Sequence, residues 1–235
     1  MHFFEVGGDS ILSLQIIAKA RKAGLQLTPK QIFDYPTIAE LAGAAQSSVG
    51  VLDEQGPVIG EVPLTPVMRR FFEQQQPEPQ HFNQAVMLES RQRLDATLLE
   101  QAVAKLLDHH DALRLRFQQG QGAWRQSISG SISVSEVFKR LDLSHLPETE
   151  HKSAIEAEAA RVQSGLSLST GPLVRIVLFD LGAGRPCRLL LVVHHLLIDG
   201  VSWRILLEDL QKLYTQLSEG RKPELEPKTT SFKRW

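Results

Sequence analysis

The first 45 residues show the hydrophobic spacing of short amphipathic helices. Residues 11–23 carry apolar side chains at helical intervals, and Gly24 suits the left-handed backbone that often follows a helix. Thr28-Pro29 is a helix-start pair, and Thr37–Glu40 has the pattern of a capping box. We therefore predict three helices. Because so short a segment closes a core poorly, we also expect a missing N-terminal helix.

Residues 46–61 show no hydrophobic periodicity and are rich in Ser, Gly, Pro and acidic residues, which indicates a linker. Strand and helix patterns alternate after it. The predicted strands are Phe82–Leu88, Leu113–Phe117, Ala123–Ile128, Leu173–Asp180 and Arg188–Val193, and the predicted helices are Pro66–Phe72, a helix capped by Asp95, Glu148–Gln163 and Val201–Ser218. This alternation is typical of an α/β or α+β sandwich with a mixed sheet. Ser231–Trp235 is similar to the start of another element, so we expect this second domain to be incomplete.

Composition and charge narrow the class of protein. The 235 residues correspond to about one and a half domains, and 42% hydrophobic with 23% charged residues is typical of a globular chain. A net charge of -1 provides no overall basic field, so we expect neither nucleic acid nor membrane as a partner. The single cysteine, Cys187, excludes an internal disulfide and favours the reducing cytoplasm.

Gly7-Gly8-Asp9-Ser10 stands immediately before the first predicted helix. The Ser10 hydroxyl would lie at the positive end of that helix, where a phosphodiester is electrostatically favoured. The alternative is that Asp9 or Ser10 only caps the helix.

His194 and His195 follow a buried-looking strand, and Asp199 precedes the last long helix. An imidazole in such a loop could act as a base near neutral pH, and the carboxylate could orient the loop. The alternative is a structural or metal-binding histidine pair. Because no cysteine cluster or third ligand stands at zinc spacing, we expect no metal site.

Two segments closely resemble the peptidyl carrier domains of nonribosomal peptide synthetases: Phe3–Leu14 (FFEVGGDSILSL) and Ile32–Leu41 (IFDYPTIAEL). The resemblance implies that Ser10, beside Asp9, carries 4′-phosphopantetheine as a thiol tether for an acyl group. It also implies a phosphopantetheinyl transferase, an upstream adenylation domain and a downstream condensation domain as partners.

Val192–Leu206 (VVHHLLIDGVSWRIL) resembles the HHxxxDG core of the condensation-domain superfamily, whose fold is similar to chloramphenicol acetyltransferase. By that resemblance His195 is the catalytic residue and His194 supports it. Asp199 is chiefly structural, through an ion pair, and Gly200 permits close helix packing.

His109–Phe117 (HHDALRLRF) resembles a second motif of that superfamily, in which the basic residues, Arg114 above all, support the fold. The alternative interpretation of this segment is the C-terminal end of a helix, with basic side chains near the negative end of the helix dipole.

Four further stretches resemble epimerization domains more than peptide-bond-forming condensation domains. They are Pro63–Glu73 (PLTPVMRRFFE), Phe82–Val86 (FNQAV), Asp199–Leu206 (DGVSWRIL, with Trp203 after the serine) and Thr230–Phe232. The first stretch departs from the usual motif at Val67-Met68, where epimerization domains have Ile-Gln.

The resemblance implies a partial all-α carrier domain at 1–45, a linker at 46–61 and, at 62–235, the N-terminal lobe of an epimerization or condensation-like domain with a chloramphenicol-acetyltransferase-like α/β (α+β) fold. It implies inversion of an aminoacyl or peptidyl thioester from L to D at the α-carbon. A missing C-terminal epimerase lobe would be needed, so we expect the chain alone to be inactive. The alternatives are a condensation domain that forms peptide bonds and a non-catalytic carrier and docking module.

Overall fold

A computed structural model describes residues 2–47, 54–228 and 230–234 of the chain. The chain divides into two compact units, Met1–Leu52 and Asp53–Trp235. Of the predicted linker at 46–61, positions 48–53 lie outside the described residues, as does Trp235 of the predicted terminal element. Residues 231–234 form a turn, in which Arg234 N–H donates to Ser231 O at 3.1 Å.

The first unit contains the three predicted helices and one short strand pair. Its elements are α1 (Ser10–Lys22), β1 (Leu25–Gln26), α2 (Pro29–Asp34), α3 (Ile38–Ala44) and β2 (Gln46–Ser47). The predicted capping box of α3 is present, because the Thr37 side chain accepts from Glu40 N–H and the Glu40 side chain accepts from Thr37 N–H. Gly24 has the predicted left-handed backbone, with φ 77°. The antiparallel pair β1–β2 was not predicted, since a two-residue strand has no readable periodicity.

Apolar burial in this unit is slight. Ile32 is 1% exposed, whereas Ile11, Leu14, Phe33 and Ile38 are all exposed. The helices are thus defined more by their caps than by a shared core.

The second unit alternates strands and helices as predicted. Its elements are β3 (Gly60–Val62), α4 (Pro66–Glu73), β4 (Asn83–Glu89), α5 (Ala96–His109), β5 (Leu115–Gln119), β6 (Trp124–Ile128), α6 (Val134–Val137), β7 (Phe138–Asp142), α7 (Glu148–Ser164), β8 (Val174–Asp180), β9 (Arg188–His194) and α8 (Gly200–Ser218). Three of these, β3, α6 and β7, were not predicted. The predicted strand at Leu113–Phe117 begins later, because Asp111–Arg114 forms a 3-10 turn.

The strands form two sheets, and the larger one is mixed, as predicted. Its order is β4-β9-β8-β7; β9 pairs antiparallel with β4 and β8, and β7 pairs parallel with β8. The smaller sheet has the order β3-β6-β5 and is antiparallel. The central strands β8 and β9 are covered on both faces, which explains their almost continuous apolar sequences.

Alternate residues of β9 contribute to two separate cores. Leu189, Leu191 and Val193 pack in a cluster with α5 and α8, whereas Leu190 and Val192 pack in a cluster with α7 and the smaller sheet. The end of β9 therefore delivers the next loop to one rim of the large sheet, beside the start of β4. No helix among the described residues is long and apolar enough to cross a membrane.

Candidate functional site

A loop of five residues, 195–199, joins the end of β9 to the start of α8. Asp199 fixes its far end as the N-cap of α8. Its carboxylate accepts from Val201 N–H at 3.0 Å, from Ser202 N–H at 2.8 Å and from the Ser202 hydroxyl at 2.8 Å. Burial by itself raises the pKa of Asp199, but these hydrogen bonds outweigh it and the pKa lies below its ordinary value.

Asp199 was expected to act through an ion pair. Among the ion pairs of the described residues none includes Asp199, and its contacts are instead those of a helix cap. Gly200 was expected to permit close helix packing; a Cβ atom built on Gly200 meets no other element of the described residues within 4 Å, so the packing partner is not found among them.

His194 is completely buried and both of its ring nitrogens are used. Leu196 N–H donates to Nδ1 at 3.2 Å, so Nε2 carries the proton and donates to the carbonyl of Pro79 at 2.8 Å. Burial holds the pKa of His194 below its ordinary value. The side chain is thus a neutral link between the site loop and the segment before β4.

His195 is half-buried at the start of the loop. Its Nδ1 lies 2.7 Å from Ile198 O, and its Nε2 lies 3.2 Å from Nε2 of Gln84. The ring stacks on Phe82 with centroids 4.9 Å apart, and His195 N–H donates to Phe82 O at 2.8 Å. Trp203 completes the group, since its indole N–H donates to Oε1 of Gln84 at 2.7 Å.

Gln84 was not singled out as a site residue by the sequence. It stands on β4, and the pairing of Asn83 with His194 places it beside the loop. The stretch FNQAV carried only a family resemblance, and a strand register between distant segments has no local signal.

Arg114 is 1% exposed, and its hydrogen bonds are made to residues outside the 195–199 loop. Its guanidinium donates to the Asp111 carboxylate at 2.7 Å, to Leu107 O at 2.6 Å and to Ser129 O at 3.0 Å. It therefore joins the end of α5 to the end of β6, which is a structural arrangement.

The described residues contain a His-His-Asp group that the sequence spacing did not reveal. Ligand atoms of His109, His110 and Asp209 lie within 4.8 Å of one another. His110 Nε2 is 2.9 Å from an Asp209 oxygen, so a direct contact between α5 and α8 accounts for this pair.

In the first unit, Ser10 is exposed as the first residue of α1. Asp9 is the cap, since its carboxylate accepts from Leu12 N–H at 2.7 Å. The capping role is thus filled by Asp9, and Ser10 stands at the positive helix end. An exposed hydroxyl there fits the attachment of a phosphodiester.

Two family models match the chain. The phosphopantetheine attachment site matches residues 1–45, and the condensation domain matches residues 58–235. The first of these families holds covalently attached 4′-phosphopantetheine.

Curated relatives match almost the whole chain. One of the linear gramicidin synthase proteins of Brevibacillus parabrevis is 53% identical over 234 residues, which are 100% of this chain and 4% of that protein. Chondramide synthase of Chondromyces crocatus is 49% identical over 234 residues, 100% of this chain and 6% of that protein. A surfactin synthase protein of Bacillus subtilis (strain 168) is 40% identical over 231 residues, 98% of this chain and 6% of that protein. The chain thus spans a small fraction of the length of these relatives.

Solved structures share the fold of the second unit. The epimerization domain from the third module of tyrocidine synthetase B is 38% identical with a TM-score of 0.73, covering 79% of this chain and 40% of that chain. The first condensation domain of the calcium-dependent antibiotic synthetase is 24% identical with a TM-score of 0.62, covering 71% of this chain and 40% of that chain. With the mixed sheet and the HHxxxDG loop described above, these matches show that the chain belongs to the condensation-domain family of nonribosomal peptide synthetases, with a phosphopantetheine attachment site preceding that domain.

Proposed function

We propose that residues 62–235 are the N-terminal lobe of an epimerization domain and that residues 1–45 are part of the carrier domain that presents its substrate. The substrate is an aminoacyl or peptidyl thioester, inverted from L to D at the α-carbon. The observation that carries this proposal is the 38% identity and TM-score of 0.73 with a solved epimerization domain. The solved condensation domain, at 24% identity, supports the fold alone.

His195 is the proposed proton-exchanging residue. When bound on Ser10, 4′-phosphopantetheine supplies a thioester that makes the neighbouring α-proton more acidic. His195 Nε2 is the ring nitrogen that does not face a backbone carbonyl, so it is the one that can exchange a proton with a substrate. His194 supports it from the buried side, and Asp199 holds the loop at the start of α8.

Inversion also needs a proton from the opposite face of the α-carbon. This chain covers 40% of the solved epimerization domain. We assign the second proton-donating group to the remaining part of such a domain. Family resemblance makes it a glutamate of the C-terminal lobe. The chain without that lobe is therefore expected to exchange the α-proton poorly or not at all.

The test is His195→Ala in a full-length epimerization domain that contains this sequence. Loaded with an L-aminoacyl thioester in deuterium oxide, the wild type should incorporate deuterium at the α-carbon, and the variant should fall to the uncatalysed rate. His145→Ala, at an exposed histidine, is the matched control and should exchange as the wild type does. Wild-type exchange in the His195 variant would remove this residue from the mechanism.

A condensation domain is the second candidate, because the condensation-domain model spans residues 58–235. It would use the same loop to position an amine for attack on the thioester. Product analysis separates the two: a new peptide bond with an aminoacyl acceptor supports condensation, and a D-configured thioester supports epimerization. Neither product from the full-length domain would favour a non-catalytic carrier and docking module.

The carrier role has its own test. A phosphopantetheinyl transferase with coenzyme A should add one phosphopantetheine mass to the chain, and Ser10→Ala should abolish the gain. We further propose an upstream adenylation domain and a downstream condensation domain as partners. The free thiol of Cys187 is buried, and the cytoplasm remains the expected compartment.

A further inference from the structure

We propose that Gln84 and Trp203 set the tautomer of His195 and keep its Nε2 as the lone-pair nitrogen, so that Gln84 is a positioning residue for proton exchange. This inference deepens the proposed function and rests on it. Three consecutive hydrogen bonds carry it: Trp203 to Gln84, Gln84 to His195, and His195 to the carbonyl of Ile198.

The donor in each of these three hydrogen bonds follows from which atoms can only donate and which can only accept. An indole N–H only donates, so the Gln84 atom 2.7 Å from Trp203 Nε1 is the amide oxygen. The amide nitrogen of Gln84 therefore faces His195 at 3.2 Å, and because it only donates, His195 Nε2 must accept. At the other end, Ile198 O only accepts, so His195 Nδ1 carries the proton. Both ends lead to the same tautomer.

The surrounding elements hold these three side chains in place. Gln84 lies on β4 opposite Val193, and Trp203 lies in the first turn of α8, packed in the core at 9% exposure. Phe82 covers one face of the His195 ring. With little exposed surface at Trp203, water competes poorly for the amide oxygen of Gln84.

The arrangement has a consequence for proton transfer. His195 Nε2 has a single lone pair, which accepts from Gln84, so the Gln84 amide must swing away before a substrate approaches. As the substrate Cα–H bond breaks, its electron pair stays on the substrate and the proton forms a new N–H bond at His195 Nε2. That N–H would then face the N–H of Gln84, donor against donor. Gln84 must therefore stay aside while Nε2 is protonated, since turning its amide around would break the bond from Trp203. The three hydrogen bonds thus re-form only after the proton has left His195 Nε2.

The test is a nitrogen NMR spectrum of the 235-residue chain labelled at histidine, with the His195 signals assigned by their loss in His195→Ala. In the wild type, Nδ1 should show a protonated shift and Nε2 a lone-pair shift. Gln84→Glu replaces the donor with an acceptor and should protonate both nitrogens at neutral pH. Gln118→Glu, at an exposed position near the end of β5, is the matched control and should leave the wild-type pattern.

A protonated Nε2 in the wild type would overturn the inference, as would unchanged His195 shifts in Gln84→Glu. If that variant fails to fold, Trp203→Phe removes the indole N–H and keeps a smaller aromatic ring at this buried position. It frees the Gln84 amide to turn, so both His195 tautomers should appear. A single unchanged tautomer in this variant also overturns the inference.

An activity measurement separates this inference from the proposed function. In the full-length epimerization domain, Gln84→Glu should slow α-proton exchange at neutral pH about tenfold or more and displace the acid side of its pH profile to higher pH, with KM unchanged. An unaltered pH profile contradicts the positioning role of Gln84 while leaving the His195→Ala result intact. Wild-type exchange in His195→Ala contradicts the proposed function, whereas the NMR tautomer would still stand.

Discussion

Arg114→Met tests whether the buried guanidinium at the end of α5 holds the second unit together. Arg114 and Asp111 pair at 2.7 Å with side chains only 2% and 7% exposed. Methionine keeps an unbranched apolar stem but removes the donors to Asp111, Leu107 O and Ser129 O. The substitution therefore leaves a buried carboxylate and buried carbonyls with fewer partners.

Removing one partner of a buried ion pair costs about 3–5 kcal/mol. Lys228, whose Nζ lies 3.0 Å from the same Asp111 oxygen, still neutralises the carboxylate and offsets part of the loss. The carbonyls that lose a donor add to the cost, since a buried unsatisfied polar group is worth about 1–3 kcal/mol. We therefore expect a net loss of about 3–5 kcal/mol, a large share of the roughly 5–15 kcal/mol that stabilises a typical domain.

The assay is urea denaturation followed by far-ultraviolet circular dichroism. Arg204→Met is the matched control, because the Arg204–Glu208 pair at 2.7 Å is 45% and 61% exposed and is expected to contribute less than about 1 kcal/mol. A loss in Arg114→Met no larger than in the control would refute the structural role assigned to Arg114.

Three further predictions concern the large sheet, α8 and the carrier half. Burial alone raises the pKa of Asp180, but hydrogen bonds led by that from Arg140 lower it from 3.8 to about 2; the native carboxylate thus contributes stability above pH 3.8 that is lost as pH falls toward 2. In Asp180→Asn, the urea midpoint should therefore depend less on pH between 3.8 and about 2 than it does in the wild type. The same dependence on pH in both proteins would contradict this. Asp199→Ala should lose about 1 kcal/mol of unfolding free energy while Asp199→Asn keeps most of it, since asparagine also caps helices; equal losses would argue against a capping role. Gly8→Ala should slow phosphopantetheine transfer, measured by intact mass, because its Cβ would lie 2.6 Å from Phe3 O; Gly43→Ala, with no described atom within 4 Å of the new Cβ, should react at the wild-type rate.

Helix starts were predictable because their signals are local. Asp95 accepts from Thr97 and Leu98 N–H within its own helix turn, so the start of α5 can be read from a few consecutive residues. The apolar strands β8 and β9 were predictable for a related reason, since burial on both faces produces a dense apolar run.

Elements at the edges carried weaker signals. The edge strand β7 has the sequence FKRLD, in which only Phe138 is buried, so neither alternation nor an apolar run marks it. The candidate site was predictable at His195 and Asp199 through family resemblance. The contact of Gln84 with His195 was not, because it depends on how two distant strands align.

That pairing also has a consequence for folding and for local opening. Gln84 and His195 are 111 residues apart in sequence, so their contact forms only after a long loop has closed, which is an entropically costly and slow step. Because β4 is at the edge of its sheet, fraying there would release Gln84 while β8 and β9 stay paired. Hydrogen exchange at the β4 amides should therefore report the fraction of molecules in which His195 has lost its partner, even though the rest of the fold is intact.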